Sequence, residues 1–323
     1  MKITVILCTY NRCQSLQKAL ASVSSSVVPS SVEWEVIVVD NNSGDQTRSV
    51  TEEYCRRYPQ RFRYLFEPRS GKSNALNAAI RATDADVLAF MDDDVQVEAD
   101  WLHNLTSCLN DSRWAGAGGR ILPEVEFTPP RWLDTGGRYA LAPLAMFDLG
   151  LDAVELHEAP FGTNMAFRRE MFAKHGDFRT DLGPRPGSEI RNEDVEFGQR
   201  LLAAGERFWY APTAVVHHAI SQSRLKPDYF LTWWFDKARA DLRQEGIPRG
   251  TAWFIGAVPL SLYRRLGVWT LRWMCSINPQ NRFTRKLKVW GIRGAIAECR
   301  SLRSGDAKLQ PCALTDPHSQ DQN

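Results

Sequence analysis

The amino-acid sequence predicts an α/β fold with a doubly wound, mostly parallel sheet. Two patterns in the first hundred residues support this prediction. Short β-rich apolar runs alternate with segments of helical length, and polar side chains gather where the runs end. Four strands are predicted, at residues 3–9, 34–40, 62–66 and 86–91. The second strand contains Val36-Ile37-Val38-Val39, which is apolar on both faces, as expected of a covered parallel strand.

Helices are predicted at residues 15–24 and 73–82, because apolar residues recur there at helical spacing. The two apolar stripes consist of Leu16, Ala19, Leu20 and Val23, and of Leu76, Ala79 and Ile80. In sheets of this kind ligands lie beyond the carboxyl ends of the strands, so a binding site is predicted there. The four polar strand ends are residues 9–12, 40–45, 67–74 and 92–94.

The middle of the chain has a weaker pattern. Residues 115–160 are rich in Gly, Pro and aromatic residues, which predicts long loops over the sheet that contact substrate. Strands are predicted again at 161–168 and 207–217. A helix is predicted at 192–204, with acids in its first turn and Gly205 just past its end.

The last hundred residues form a separate, basic region with two open interpretations. Residues 223–302 read as helices rich in Trp and Arg, and residues 251–300 carry nine Lys or Arg against one acid, Glu298. Such helices can lie in a membrane interface, or they can pack on the core through their tryptophans. The tryptophans considered are Trp233, Trp234, Trp253, Trp269, Trp273 and Trp290. Residues 303–323 are predicted to be a disordered tail.

Composition narrows the range of functions. The 323 residues are 43% hydrophobic and 24% charged, and a net charge of +2 is too small to favour a nucleic-acid partner. Seven cysteines without CxxC or CxxH spacing argue against a disulfide framework and a zinc knuckle, and favour a reducing compartment. No secretory signal pattern and no apolar stretch of about 18 residues is found. We therefore expect a cytoplasmic protein.

The acidic run Asp92, Asp93 and Asp94 follows a buried apolar strand. Closely spaced carboxylates can hold a divalent cation, which prefers oxygen ligands. If the strand continues through the run, Asp92 and Asp94 share one side and Asp93 points away. The alternative is a solvated acidic turn that ends the strand.

Seven short motifs occur together in this chain. In order they are Cys8-Thr9-Tyr10-Asn11-Arg12, Val39-Asp40-Asn41-Asn42-Ser43-Gly44-Asp45, Gly71-Lys72-Ser73-Asn74-Ala75-Leu76-Asn77, Asp92-Asp93-Asp94, Gly162-Thr163-Asn164-Met165-Ala166-Phe167-Arg168-Arg169, Asn192-Glu193-Asp194 and Val216-His217-His218. The set closely resembles the family 2 inverting glycosyltransferases, which have the GT-A fold. The resemblance covers residues 3–220, about two thirds of the chain. It implies a GT-A catalytic domain at residues 1–222, followed by a helical appendage.

The resemblance also implies a role for each matching residue. The implied nucleotide-binding residues are Thr9, Asn11, Arg12, Asp40, Ser43, Lys72, Asn74, Asp92 and Asp93. The implied ligands of Mg²⁺ or Mn²⁺ are Asp92 and Asp94, with His217 or His218. Asp194 is the implied catalytic base with Glu193 as second candidate, and Gly162, Asn164 and the loop 183–187 are implied for sugar and acceptor. The implied donor is a nucleotide sugar, a UDP-sugar first, and the implied acceptor is a glycan or a lipid-linked sugar.

Structural interpretations of the same residues stay open. Asn11 can cap a helix, residues 43–45 can form a plain turn, residues 71–74 can be a solvated basic turn, and Glu193 and Asp194 can be ordinary first-turn acids. A P-loop is excluded, because the upstream glycine it requires is absent. The processive members of that family carry a Trp at the segment that here reads Ser221-Gln222-Ser223-Arg224-Leu225. Its absence favours an enzyme that adds a single sugar. The other function classes are a sugar-phosphate nucleotidyltransferase and a non-catalytic sugar-binding relative.

Overall fold

The computed structural model describes residues 1–137, 140–247, 251 and 253–304. Its centre is a mixed nine-stranded sheet in the order β3-β2-β1-β4-β8-β6-β9-β5, with β7 paired to β9. The strands are β1 Lys2–Thr9, β2 Glu33–Asp40, β3 Phe62–Phe66, β4 Val87–Asp92, β5 Val95–Val97, β6 Gly116–Pro123, β7 Val154–Leu156, β8 Asn164–Arg168 and β9 Phe208–His218. The predicted tail lies outside the described residues from residue 305 onward.

Strands β1 to β4 are parallel to one another and form the half of the sheet that the sequence predicted. The helices beside them are α1 Cys13–Ser24, α2 Thr47–Arg57 and α3 Lys72–Arg81. Helix α2 was not predicted, because it buries only Thr47 and Thr51 and so lacks an apolar stripe. The doubly wound α/β architecture is confirmed.

Strand β6 contradicts the prediction of long loops at residues 115–160. Three glycines allow it to lie between β8 and β9. A Cβ atom on Gly119 would lie 2.1 Å from the Ala214 carbonyl oxygen, and one on Gly116 would lie 2.4 Å from the Phe167 ring. Glycine has a low strand propensity, so the sequence did not predict a strand here. Only glycine, however, allows the strand to approach its neighbours this closely.

Three short helices complete this part of the fold. They are α4 Trp101–Thr106, α5 Glu170–His175 and α6 Glu193–Ala203. Helix α6 begins at the acids that the sequence singled out, after Asn192 in a left-handed conformation with φ of 79°. It therefore presents its first turn to the carboxyl ends of the parallel strands.

The C-terminal region packs on the core. Its elements are α7 Pro227–Glu245, a hairpin of β10 Phe254–Ile255 and β11 Val258–Pro259, α8 Leu260–Met274 and α9 Pro279–Ser304. One apolar cluster joins Leu133 and Leu144 of the preceding domain to Phe230 of α7 and Phe283 of α9. The fully buried Glu298 of α9 accepts hydrogen bonds from Arg243 and Arg239 of α7. Among the described residues, no helix is long and apolar enough to cross a membrane.

The contact between α7 and α9 gives a matched test of packing. A Cβ atom on Gly294 would lie 2.1 Å from the Phe235 carbonyl oxygen, whereas one on Gly291 would make an ordinary contact at 3.7 Å. We expect Gly291→Ala to raise the free energy of unfolding by up to about 1 kcal/mol, through helix propensity. Gly294→Ala should lower it by about 1–3 kcal/mol, because the two helices must separate.

Urea unfolding followed by circular dichroism measures both changes. Equal effects of the two substitutions would show that the close approach of α9 to α7 does not exist in solution.

Candidate active site

A cavity of about 740 Å³ lies at the carboxyl ends of β1 and β4. Strand ends form one side, the start of α6 and the loop 158–163 form another, and α7 closes it. The lining residues with polar or aromatic side chains include Thr9, Tyr10, Arg12, Lys72, Asp92, Asp93, Asp94, Thr163, Arg191, Glu193, Asp194, His218, Arg224, Tyr229, Trp233, Trp234 and Lys237. The triple-aspartate run and the acids of α6 therefore share one cavity.

Lys72 connects these two acidic groups. Its Nζ lies 2.6 Å from Asp92 Oδ1 and 3.4 Å from Glu193 Oε1. The side chain is placed by the first turn of α3, which follows Gly71 at a φ of 126°. Burial disfavours the charged amine, but the charges of Asp92 and Glu193 outweigh it and raise the pKa of Lys72 well above its ordinary value. Lys72 is therefore a fixed cation between the two acids.

The aspartate run turns instead of continuing the strand. Strand β4 ends at Asp92, whose Oδ2 accepts a hydrogen bond from the Thr163 hydroxyl at 2.8 Å. Arg12 Nη1 contacts both Asp93 Oδ1, at 3.1 Å, and Asp94 Oδ2, at 3.2 Å. The predicted alternation of sides is therefore wrong, because the period of two applies only within a strand.

The carboxyls of the aspartate run differ in the direction of their pKa shifts. Burial raises the pKa of Asp93 to about 6, although Arg12 opposes this shift. For Asp94, burial is outweighed by His218 and Arg224, and the pKa of Asp94 is well below its usual value. Arg224 Nη2 lies 3.0 Å from Asp94 Oδ2. The end of the run therefore carries a persistent negative charge.

The two histidines of β9 point to opposite sides of the strand. His217 Nε2 lies 3.1 Å from Glu98 Oε1 and does not line the cavity. His218 is buried beside Asp94, with Nε2 3.6 Å from Asp94 Oδ2 and 2.7 Å from Arg224 Nη1. The Nδ1 atom of His218 is buried and has no hydrogen-bond partner among the described residues. The geometry removes His217 as a metal ligand and keeps His218.

Asp194 faces the cavity from the first turn of α6. Its Oδ2 accepts a hydrogen bond from the Gly162 amide at 2.7 Å, and its Oδ1 accepts one from the Val195 amide at 2.8 Å. A Cβ atom on Gly162 would lie 2.9 Å from Asp194 Oδ2, so glycine is needed for this contact. Two backbone donors thus fix the orientation of the Asp194 carboxylate.

Glu193 is the more buried acid of the pair. Its burial raises the pKa of Glu193 to about 7, with Lys72 opposing the shift and Asp194 adding to it. Glu193 therefore keeps its proton to a higher pH than an ordinary glutamate does.

Four residues assigned to the nucleotide connect the strand ends without lining the cavity. The Asn11 amide donates to Ser43 Oγ at 2.9 Å, and Asn11 Oδ1 accepts from the Gly44 amide at 2.7 Å. Asp40 is buried and accepts from the Tyr64 hydroxyl at 2.8 Å, and Asn74 Nδ2 donates to the Ser70 carbonyl at 3.0 Å. These residues shape the cleft, whereas Thr9, Arg12 and Lys72 face into it.

Asn164 is not part of the cavity, in contrast to its predicted contact with sugar or acceptor. It is fully buried at the start of β8, where its Oδ1 accepts from Trp101 Nε1 at 2.8 Å. Its Nδ2 donates to the carbonyls of Arg120 and Ala214, each at 2.8 Å. Its amide group thus joins β6, β9 and α4 by hydrogen bonds, so its role is structural.

Sequence reasoning missed a wall of the cavity that α7 provides. Tyr229, Trp233 and Lys237 follow one another at a spacing of four, which puts them on one face of the helix, and Trp234 lies beside them. That spacing was the available signal. The sequence also did not predict that Arg224 lines the cavity, because residues 221–225 indicated only that the Trp of processive members is absent.

Comparison with known proteins gives concordant matches. The model of glycosyl transferase family 2 matches residues 4–176. Glycosyltransferase AglE of Haloferax volcanii is 27% identical over 216 residues, which cover 67% of this chain and 66% of AglE. The succinoglycan biosynthesis protein ExoM of Rhizobium meliloti is 28% identical over 226 residues, 69% of each chain.

A solved structure supports the fold. The mannosyltransferase PcManGT of Pyrobaculum calidifontis, in complex with GDP-Man and Mn²⁺, superposes with a TM-score of 0.56 at 19% identity. The superposition covers 95% of this chain and 76% of that one. The GT-A type of fold implied by the motifs is thereby confirmed.

The raised pKa of Glu193 has a measurable effect on stability. A carboxyl whose pKa rises on folding, here from 4.5 to about 7, binds its proton more tightly in the folded state. The stability it contributes is complete below its ordinary pKa and is lost as pH rises through about 7. Relative to Glu193→Gln, wild-type protein should lose about 2–3 kcal/mol of unfolding free energy between pH 4.5 and pH 8.

Urea unfolding of both proteins across this pH range measures the difference. A difference that stays constant with pH would show that Glu193 titrates at its ordinary value.

Proposed function

The chain belongs to glycosyl transferase family 2, and we propose that it transfers one sugar from a nucleoside-diphosphate donor to an acceptor hydroxyl, with inversion. The observation that carries this proposal is the shared cavity. Asp92 and Asp94, which are acids of the kind that bind cations, line the same cavity as a second carboxylate, Asp194. Inversion requires a base on the face of the sugar opposite the leaving group, and Asp194 would supply it.

Donor phosphates would bind at the aspartate end. Arg12, Lys72 and Arg224 place three cationic side chains there. Two carboxylates and an imidazole nitrogen are a suitable donor set for a divalent ion, and His218 Nε2 lies 3.6 Å from Asp94 Oδ2. Among the described residues no group of three such side chains stands ready to hold an ion. Lys72, Arg12 and Arg224 contact the two carboxylates, and a bound ion would displace these cations. We propose that Asp92, Asp94 and His218 hold Mg²⁺ or Mn²⁺. A cation there would neutralise charge on the departing nucleoside diphosphate.

Asp194 is proposed as the catalytic base. The hydrogen bonds from Gly162 and Val195 hold its carboxylate still at the cavity wall. A base fixed in this way can accept the proton of an acceptor hydroxyl as the new glycosidic bond forms. Glu193 is less suited, because it is buried and lies against Lys72. Glu193 is instead proposed to hold the Lys72 ammonium in position beside Asp92.

The acceptor is proposed to bind between α6 and α7. Trp233 and Trp234 offer aromatic faces on which a sugar ring can stack, and Arg191 and Lys237 offer hydrogen-bond donors. The chain is proposed to act in polysaccharide or glycolipid assembly of the cell envelope, on a glycan or lipid-linked acceptor. ExoM, which is named for succinoglycan biosynthesis, supports this direction. The proposed location is the cytoplasm, at the inner face of the membrane.

Replacing the base should separate binding from chemistry. Asp194→Asn keeps the size of the side chain but removes its basic oxygen. We expect the rate of sugar transfer to fall about 10²–10⁴-fold while donor affinity stays within about twofold. Nucleoside-diphosphate release measures the rate, and titration calorimetry with the donor measures affinity.

Asp152→Asn is the matched control, since Asp152 is an exposed aspartate outside the cavity. It should behave as wild type. Full turnover by Asp194→Asn would remove Asp194 from the mechanism.

The donor and the cation can be tested together. We expect slow hydrolysis of one member of a panel of UDP-, GDP- and dTDP-sugars in the presence of Mn²⁺ or Mg²⁺, and we expect a chelator to stop it. His218→Asn should raise the cation concentration needed for half-maximal rate by about tenfold or more. His217→Asn is the control, because His217 contacts Glu98 outside the cavity.

Equal cation dependence of the two histidine variants would exclude His218 as a ligand. Hydrolysis that persists with chelator would exclude the cation itself.

A further inference from the structure

Exposed apolar side chains are concentrated in one short stretch of the C-terminal region. Trp253 is 75% exposed and Ile277 is 97% exposed. Between them lie further exposed apolar residues, Phe254, Ile255, Val268, Leu271 and Met274. A soluble domain rarely leaves so many large apolar side chains close together without a partner.

Helix α8 has an apolar face on each side. Its inner face, with Leu262, Leu266 and Trp269, packs against α9 and the hairpin. Val268, Leu271 and Cys275 recur at a spacing of three and four on the opposite side, and all are exposed. None of the residues of α8 is buried. A helix in a globular domain normally needs only the inner face, so the outer face points to a second contact.

Positive charge surrounds the outer face. Arg264, Arg265 and Arg272 on α8 are exposed, as is Arg282 near the start of α9. The single acid of residues 251–300, Glu298, is fully buried against Arg243. The described surface from residue 253 to 303 therefore presents cations without carboxylates. This charge is complementary to an anionic surface and opposes a symmetric contact between two copies of this chain.

Most tryptophans of this region do not belong to that surface. Trp269 and Trp290 are partly buried in apolar clusters, and Trp273 stacks edge-on against Trp290. Trp233 and Trp234 line the cavity. The interpretation of these five tryptophans as membrane anchors is thus corrected, and only Trp253 keeps that possibility.

We propose that the hairpin and the outer face of α8 form a docking surface for an anionic lipid bilayer. The docking surface is defined by Trp253, Ile255, Val268, Leu271, Met274 and Ile277, with Arg264, Arg265 and Arg272 at its border. The apolar side chains enter the interface, and the guanidinium groups meet lipid phosphates. The inference extends the membrane location in the proposed function, but it concerns binding and does not depend on sugar transfer.

The docking surface is connected through packed helices to the side of the cavity where the acceptor is proposed to bind. Helix α8 packs on α9, and α9 packs on α7, which lines the cavity. A bilayer that holds α8 therefore holds the acceptor side of the cavity at a fixed orientation. This arrangement suits an acceptor whose sugar is carried by a lipid.

Sedimentation with lipid vesicles tests the proposal on the full chain. Wild type should bind vesicles of phosphatidylcholine with phosphatidylglycerol, and should bind pure phosphatidylcholine at least about tenfold more weakly. The variant Leu271→Ser with Met274→Ser and Ile277→Ser should lose at least about tenfold in partitioning to the anionic vesicles. Arg265→Gln with Arg272→Gln should lose about twentyfold, and the loss should shrink at high salt.

The matched control carries serine at Val27, Val125 and Leu151, which are 66%, 74% and 78% exposed elsewhere on the chain. It should bind as wild type. Circular dichroism and nucleotide-sugar hydrolysis without vesicles confirm that each variant is folded and that its catalytic site is intact.

Two results would overturn the proposal. One is equal vesicle binding by the serine variant and its control. The other is that wild type does not bind vesicles, while the serine variant alone has a lower molecular mass in solution than wild type. That result would assign the surface to a second copy of this chain. If wild type did not hydrolyse any nucleotide sugar, that result would count against the proposed function and would leave the vesicle result unaffected.

Discussion

The arrangement of the cavity depends on one half-buried cation. Lys72 lies between Asp92 on β4 and Glu193 on α6, two acids that are 101 positions apart in the sequence. Lys72 offsets part of the cost of bringing these two carboxyl groups together at a site that is partly shielded from water. Their pairing with Lys72 draws the start of α6 to the end of the parallel strands. It therefore fixes the position of the first turn of α6 relative to the aspartate run.

The sequence predicted that Lys72 and Asp92 lie close together, because parallel strands end at one edge of a sheet. Glu193 was assigned to the site only through the family resemblance. Asp92 lies at the end of a strand and Lys72 at the start of a helix, and both elements have clear apolar patterns. The positions of the two residues could therefore be deduced. Asn164 and His217 could not be placed in this way. Each is the neighbour of a residue that does face the cavity, and only the strand register decides which of two adjacent side chains points inward.

Close packing explains the other failures. Strand β6 exists because glycines let it approach β8 and β9, yet glycine-rich sequence normally indicates a loop. The C-terminal tryptophans posed a similar problem, since composition shows that a helix has aromatic residues but not which neighbour covers them. Whether Trp290 packs inward depends on Trp132 and Phe283, which come together only in the folded chain.

Charge balance explains why donor and cation should bind together. The cationic side chains that line the cavity are Arg12, Lys72, Arg185, Arg191, Arg224 and Lys237, and the acidic ones are Asp92, Asp93, Asp94, Glu158, Glu189, Glu193 and Asp194. These charges nearly cancel, so the cavity as a whole does not attract a diphosphate. Lys72, Arg12 and Arg224 are engaged by carboxylates of the aspartate run. They become available to phosphate oxygens only when Asp92 and Asp94 have another counter-charge, and the proposed divalent ion would supply it.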